Sequence, residues 1–266
     1  MKIGFIGLGN MATAMIGGII KNGIVKAEEI LGSDGYAGSV ERAVTNLGIT
    51  AMKNNIETAQ NADVLVLSVK PQVYESVISE IKNDIRKETI VITIAPGKTM
   101  KWVSELFGFA ADAKLVRCMP NTPALVGEGC TGVCFMNGIQ SDEKELVMSI
   151  LNSFGKAFEV PEHLMDTVVG VSGSSPAYVF MFIEAMADAA VADGMPRQQA
   201  YEFAAQAVYG SAKMVLETGK HPAELKDMVC SPGGTTIEAV RVLEEKGFRS
   251  AVVEAQKACV SKSKSM

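Results

Sequence analysis

The opening residues constrain the fold more than any other stretch. Met1-Lys2-Ile3-Gly4-Phe5-Ile6 reads as a short apolar strand running directly into Gly7-Leu8-Gly9-Asn10-Met11-Ala12. Residues 14–20 continue as a helix that closes around Asn22-Gly23. Strand, glycine turn and helix in that order give G-x-G-x-x-A the context it needs to carry meaning. The first glycine permits the turn, the second lets a pyrophosphate approach the backbone, and small Ala12 lets helix and strand pack closely. A βα turn without any ligand satisfies the same pattern, so the rest of the chain has to decide.

The strand–helix alternation then repeats. Strands over 30–33, 64–69, 89–94, 114–118 and 131–135 interleave with helices over 39–47, 73–85 and 99–107. A helix over 141–154, a last strand over 157–160 and Pro161 close this region. The alternation predicts a parallel, doubly wound sheet in residues 1–161, with ligand along the carboxyl ends of the strands. Ser33-Asp34 follows the second strand, where an adenosine ribose sits in such sheets. An acid there accepts from ribose hydroxyls and repels a 2′-phosphate, which leans the cofactor toward NADH. Val69-Lys70-Pro71-Gln72 and Ile94-Ala95-Pro96-Gly97 end the next two strands. Lys70 reads equally as a group positioning ribose or nicotinamide and as a plain surface lysine.

Beyond Pro161 the strand signals stop, and residues 162–266 read as a helical domain. Residues 176–192 are apolar nearly all round, broken mainly by Glu184 and Asp188. That stretch is too short and too acid-bearing for a membrane span. A helix apolar on every side needs cover on every side, which one small helical domain hardly supplies. A partner subunit is therefore expected, with a core helix inside a monomer as the alternative. Gly194-Met195-Pro196 separates it from a second helix over 197–218, closed by Gly219 as a C′ glycine and by Pro222.

Composition excludes several function classes. The 266 residues carry a formal charge of −5, which argues against a general nucleic-acid binder. The lysine-bearing stretch from Lys257 to Lys264 reads as solvated. Cys118, Cys130, Cys134, Cys230 and Cys259 form no CxxC pair, and only His163 and His221 are imidazoles. No metal site or disulfide framework follows, and buried, reduced thiols are expected. Lys2, the apolar run and Ala12-Thr13-Ala14 imitate a signal peptide, but Gly4, Gly7 and Gly9 interrupt the run, so a cytoplasmic protein is expected.

Ser231-Pro232-Gly233-Gly234-Thr235-Thr236 is the candidate reaction site. Pro and two glycines form a tight turn before a helical pattern that ends near Lys246-Gly247. Thr235 and Glu238 have the spacing of a capping box, which makes Thr235 the expected N-cap. Free backbone N–H groups, the positive helix end and three hydroxyls suit a carboxylate. Alone, the stretch reads first as an ordinary capped turn between helices, and only the rest of the chain changes that balance.

Taken together, the chain resembles pyrroline-5-carboxylate reductases nearly end to end. The resemblance rests on the opening Gly4-Phe5-Ile6-Gly7-Leu8-Gly9-Asn10-Met11-Ala12, on Val69-Lys70-Pro71-Gln72, and on Arg117-Cys118-Met119-Pro120-Asn121-Thr122-Pro123-Ala124. It continues through Ser172-Gly173-Ser174-Ser175-Pro176-Ala177-Tyr178 and the 231–236 loop, with Leu225, Val229 and Glu244 at family spacings. The resemblance implies a Rossmann-type α/β domain followed by an all-α dimerisation domain, with dimers that commonly assemble further into decamers, while the charge and the acid-bearing helix already predict no nucleic-acid and no membrane partner. It implies hydride transfer from NAD(P)H to the imine carbon of 1-pyrroline-5-carboxylate, giving L-proline as the last step of proline biosynthesis. The cofactor-lining residues would be Ile6, Gly7, Leu8, Gly9, Asn10, Met11, Ala12, Ser33, Asp34, Asn55, Ser68, Val69, Lys70, Pro71, Ile94, Ala95 and Pro96. Ser231, Gly233, Gly234, Thr235 and Thr236 would hold substrate, with Thr236 the candidate proton donor unless the imine arrives protonated.

Two departures stand out. Ser175 occupies a position where glycine is usual, and Asp34 one where many members carry a small or basic residue. β-Hydroxyacid dehydrogenases share the opening motif, but residues 170–177 offer no lysine for their acid–base step. A cofactor-binding sensor without turnover would need no carboxylate site, which the 231–236 loop supplies.

Overall fold

The computed structural model describes residues 1–110 and 112–266. Close contacts divide the chain into two compact units: Met1–Ser174 together with Cys259–Met266, and Ser175–Ala258. The first unit runs β1 (Ile3–Ile6), α1 (Asn10–Lys21), β2 (Ile30–Ser33), α2 (Ala37–Leu47), β3 (Thr50–Ala51), α3 (Asn55–Asn61) and β4 (Val64–Leu67). It continues with α4 (Tyr74–Ile81), β5 (Ile90–Thr93), α5 (Met100–Phe107), β6 (Leu115–Met119), β7 (Gly129–Phe135), α6 (Ser141–Asn152), β8 (Gly155–Glu159) and α7 (Met165–Val168).

The strands form one sheet in the order β3-β2-β1-β4-β5-β6-β7-β8. Chain direction across the sheet reverses its order of winding between β1 and β4, the point at which such sheets bind ligands. Alternate side chains explain why two helical layers are needed. Ile3, Phe5, Val64, Val66, Ile90 and Ile92 join α1 residues Met15, Ile16 and Ile19 and α6 residues Val147 and Ile150 in one core. Ile6, Leu65, Leu67 and Val91 face the other way, onto Tyr74 and Ile78 of α4 and Val103 and Phe107 of α5. Strands buried on both faces read as continuous apolar runs, which is why these were visible in the sequence.

The expectation of a wholly parallel sheet needs one correction: β7 runs antiparallel to β6. The link over 120–128 is shorter than the dozen or so residues that a parallel crossover requires, so the chain turns straight back. β8 then pairs parallel with β7 after the α6 crossover. The expected boundary after residue 161 also sits differently in the contacts. Met165 and Val169 pack with Met119 and Cys134, so the first unit extends to Ser174.

The second unit contains α8 (Ser175–Ala192), α9 (Arg197–Thr218), α10 (Pro222–Val229), α11 (Thr235–Glu245) and the greater part of α12 (Phe248–Lys264). Gly219 at φ 64 closes α9 as a left-handed cap, and Pro222 opens α10. Within the single chain α8 buries only Ala187. Phe180 and Met181 stay 61% and 69% exposed, and Leu216 of α9 stays 82% exposed. The burial expected around residues 176–192 is thus absent from the isolated chain, because α9 is the main neighbour of α8. Residues 162–192 are long and apolar enough to cross a membrane by length and composition alone. Glu184 and Asp188, one turn apart on α8, make that an expensive lipid-facing helix.

Ser175 causes no backbone strain at the start of α8. No described residue other than glycine has a positive φ, so the serine needs no left-handed conformation. All five cysteines are free thiols. Cys118 and Cys134 are buried as expected, whereas Cys130, Cys230 and Cys259 are only half-buried. Burial pushes the Cys134 thiol up to about 11, with Glu162 adding to the effect, and raises Cys118 well above the usual thiol range. Both stay protonated and unreactive at neutral pH.

Candidate active site

The turn after β1 is locked against the turn after β4. Gly7 sits at φ 95, and a Cβ there would lie 2.8 Å from the backbone of Ser68 and Val69. Its N–H donates to the Ser33 carbonyl at 2.8 Å, and the Ser68 hydroxyl donates to the Gly7 carbonyl at 2.7 Å. No L side chain fits that conformation beside that wall. Gly9 is the opposite case. It is the N-cap of α1 with no side-chain capping bond, and a Cβ would meet nothing within 4 Å. The first turn of α1 therefore faces open space with its N–H groups unobstructed by a side chain, the geometry of an anion cradle. These two glycines fit the pyrophosphate of a dinucleotide.

Two clefts flank that cradle. One, of roughly 560 Å³, lies toward β2 and is lined by Gly7, Gly9, Asp34, Tyr36, Asn55 and Lys70 among others. The other, of roughly 380 Å³, lies toward β5 and β6, between Asn10, Met11, Ile94, Pro96, Met119 and Ser174. Between them the two clefts could take the two halves of a dinucleotide laid across the switch point. Ile6, Ser68 and Val69 also line the first cleft. Leu8, Ala12, Ser33 and Ala95 are buried and shape the walls from behind, and Pro71 opens the short turn over Pro71–Val73.

Asp34 is the main surprise. One carboxylate oxygen accepts from the Leu8 N–H at 2.7 Å and the other from the Tyr36 N–H at 2.8 Å. The side chain thus ties the glycine loop to the turn after β2, a direction no sequence pattern reveals. Beneath it runs a polar chain: Thr58 donates to Ser33 at 2.9 Å, Ser33 to Asn55 at 2.8 Å, and Asn55 to Glu80 at 2.8 Å. Arg42 of α2 lies 5.9 Å from the Tyr36 ring centroid and donates to the Ser39 hydroxyl.

Tyr74 is a supporting residue that the sequence reading missed. Its hydroxyl donates to the Leu67 carbonyl at 2.6 Å and accepts from Thr93 at 3.0 Å and from the Ile94 N–H at 3.4 Å. It joins the ends of β4 and β5 under the cleft, and burial raises the phenol to about 12. Tyr74→Phe removes the hydroxyl from all three partners, the Leu67 carbonyl, the Thr93 hydroxyl and the Ile94 N–H, and is expected to cost about 1–3 kcal/mol in chemical denaturation. Because the ends of both strands carry cleft residues, the apparent cofactor affinity should fall alongside.

The wall of the second cleft contains further residues absent from the sequence-derived set: Met119, Pro120, Val169, Gly173 and Ser174. Residues Val169–Gly173 form a π-helical turn, an irregularity that recurs at functional sites. Arg117, 2% exposed, donates to Glu162 at 3.1 Å, and the same carboxylate oxygen accepts from the Met100 N–H at 2.6 Å. That clamp ties β6, α5 and the segment leading into α7.

In the second unit the 231–236 loop is built as a cap without a capping side chain. Gly233 sits at φ 70, and the Gly234 N–H donates to the Ser231 carbonyl at 3.0 Å. A Cβ on Gly234 would fall 2.6 Å from the Ser231 hydroxyl. The expectation that Thr235 is the N-cap is corrected: Gly234 is the N-cap and Thr235 the first helical residue of α11. Gly234 takes the extended conformation a cap requires, and Glu238 pairs forward with Arg241 at 2.7 Å instead of reaching back. Among the described residues no side-chain capping bond closes the start of α11, a geometry that suits an anion. Ser231 and Thr235 are exposed and Thr236 is half-buried.

Comparison with known proteins gives the same picture along the whole chain. Residues 162–266 match the family described as pyrroline-5-carboxylate reductase dimerisation, and residues 2–97 match that described as NADP oxidoreductase, coenzyme F420-dependent. The chain is 53% identical over 265 residues to a pyrroline-5-carboxylate reductase of Escherichia coli strain K12, covering 100% of this chain and 98% of that one. A pyrroline-5-carboxylate reductase of Methanosarcina acetivorans is 45% identical, across 96% of this chain and 93% of its own. A crystal structure of the Plasmodium falciparum pyrroline carboxylate reductase with NADP bound superposes at a TM-score of 0.90, with 34% identity and coverage of 100% and 97%. With an open dinucleotide cradle, an uncapped helix start and full-length identity of this order, the chain belongs to the pyrroline-5-carboxylate reductase family.

Proposed function

We propose that this protein reduces 1-pyrroline-5-carboxylate to L-proline with NAD(P)H. The observation that carries this reading is the pairing, in one chain, of a bare Gly9 cradle with the uncapped start of α11. Bound NAD(P)H supplies the hydride, which leaves orientation and charge to the protein. Gly9 and the first turn of α1 hold the pyrophosphate. Asn55, Ser68 and Lys70 border the adenosine side, and Ile94, Pro96 and Ser174 the nicotinamide side. The N–H groups opening α11, with Ser231 and Thr235, hold the substrate carboxylate, and so fix where the imine carbon sits. Thr236 donates or relays a proton to the ring nitrogen when the imine does not arrive already protonated.

The apolar surface of α8 and α9 supports a homodimer in which a second copy covers Phe180, Met181 and Leu216, and such dimers suit further assembly into a decamer. A cytoplasmic location, with neither membrane nor nucleic acid as partner, fits five free thiols and the net negative charge.

Cofactor preference turns on two opposing side chains. Asp34 brings negative charge to the ribose position and disfavours a 2′-phosphate, whereas Arg42 beside Tyr36 is the nearby cation that accommodates one. With both oxygens of Asp34 already accepting from backbone, its repulsion still leans the choice toward NADH. The deciding experiment measures initial rates of NADH and NADPH oxidation in parallel with 1-pyrroline-5-carboxylate. NADH clearly ahead supports Asp34 as the selector, and NADPH ahead transfers that role to Arg42. Cofactor binding without turnover on this imine would sink the proposed reaction.

A further inference from the structure

The last eight residues, Cys259–Met266, belong to the first unit although α12, which carries the first six of them, begins in the second. Their contacts converge on one feature, the wall of the nicotinamide-side cleft. The Cys259 thiol donates to the Ser174 hydroxyl at 3.2 Å, and Cys259 packs against the cluster of Met119, Met165 and Val169. Ser263, 3% exposed, donates to the Asp166 carboxylate at 2.6 Å. A Cβ on Gly97, the residue after cleft-lining Pro96, would lie 2.8 Å from the Met266 side chain. Lys98 donates to the Met266 carbonyl at 3.2 Å.

Asp166 lies in α7, which leads directly into the π turn at Val169–Gly173, and the Ser174 N–H closes on the Val169 carbonyl at 2.8 Å. A π turn is rare and needs tertiary support to persist. The Ser263–Asp166 bond is charge-assisted and so among the stronger kinds available. The thiol of Cys259 is a weak donor, but it occupies a lone pair of the Ser174 oxygen and leaves that hydroxyl's single proton for another acceptor.

We propose that Cys259–Met266 is a positioning element for the nicotinamide half of the cleft. Ser263 holds α7 and the π turn through Asp166, and Cys259 orients the Ser174 hydroxyl so that it donates to a polar group of the bound cofactor. This assignment rests on the reading that the cleft binds NAD(P)H.

The test compares the full-length protein with Cys259→Ala, Cys259→Ser and Ser263→Ala, titrating each with NADH, with NADPH and with ADP-ribose, which lacks nicotinamide. Cys259→Ala and Ser263→Ala are expected to weaken binding of the reduced cofactor by roughly three- to tenfold, as for loss of one hydrogen bond. ADP-ribose affinity should stay within about twofold, a separation that a merely structural role would not produce. Cys259→Ser keeps a donor and should restore the wild-type ratio. Parallel losses for cofactor and ADP-ribose, no loss for either, or Cys259→Ser behaving as Cys259→Ala would overturn the assignment. Should Ser263→Ala fail to fold, the two Cys259 variants decide alone. Wild-type protein that binds ADP-ribose but neither reduced cofactor would fail the cleft reading itself, and this assignment with it.

Discussion

Gly7→Ala and Gly9→Ala are expected to damage cofactor binding by opposite routes. Gly7 is held at φ 95, with the backbone of Ser68 and Val69 2.8 Å from where a Cβ would stand. Left-handed strain at a non-glycine residue costs about 1–3 kcal/mol. The obstacle is main chain, so it cannot rotate aside as a side chain would. The Gly7→Ala protein should therefore melt at lower temperature even without cofactor. The loop would settle out of register with Ser68, and affinity for NAD(P)H should fall by roughly ten- to hundredfold, matching that strain energy. Gly9 has ordinary cap geometry, φ −77 and ψ −171, and open space where the methyl would go. Gly9→Ala should leave cofactor-free stability within about 0.5 kcal/mol. Its methyl projects into the pyrophosphate approach, so affinity should still fall by about tenfold or more. Thermal melts without cofactor, paired with fluorescence titration of NAD(P)H, separate the two. A Gly9→Ala protein that binds normally would remove this loop from the cofactor path.

What could be read in advance follows from which interactions are local. The core strands announced themselves because both faces are buried, and α9 because Pro196 and Gly219 punctuate it on either side. β3 stayed hidden because two exposed residues, Thr50 and Ala51, carry no apolar period. The reversal at β7 lies in the length of a connection, which is visible in the sequence but was outweighed by the βα rhythm before it. The mistaken cap at Thr235 shows the limit of a spacing rule. Threonine and glutamate stood three apart, but the glycine before them took the cap and Arg241 took the glutamate. Among the site residues, the turn at Gly7 and the bare backbone at Gly9 were legible, since each depends only on local main chain. The direction of Asp34, the Tyr74 brace and the Ser263–Asp166 bond were not, because each joins residues whose meeting is decided by the whole fold.

Thr236→Ala is expected to lower kcat by about a hundredfold or more, the loss typical of a positioned proton donor. Thr235→Ala should raise KM for the imine a few-fold while leaving kcat nearly unchanged. Thr235 is the first residue of α11 and not its cap, so removing its hydroxyl takes no bond from the backbone, and stability should stay within about 0.5 kcal/mol. Thr236 is the more enclosed of the pair, which suits a hydroxyl whose proton goes to substrate and not to water. The pH dependence tells donation from simple contact. As pH falls, more of the imine is already protonated in solution and needs no donor. If Thr236 supplies the proton, the defect of Thr236→Ala should shrink between pH 8 and pH 6, with wild-type measured alongside at each point. A defect that holds constant across that range would make the hydroxyl a binding contact only. Equal effects of the two variants on turnover and on melting temperature would remove the assignment altogether, since a shared loss would then reflect the helix start as a whole and not one hydroxyl.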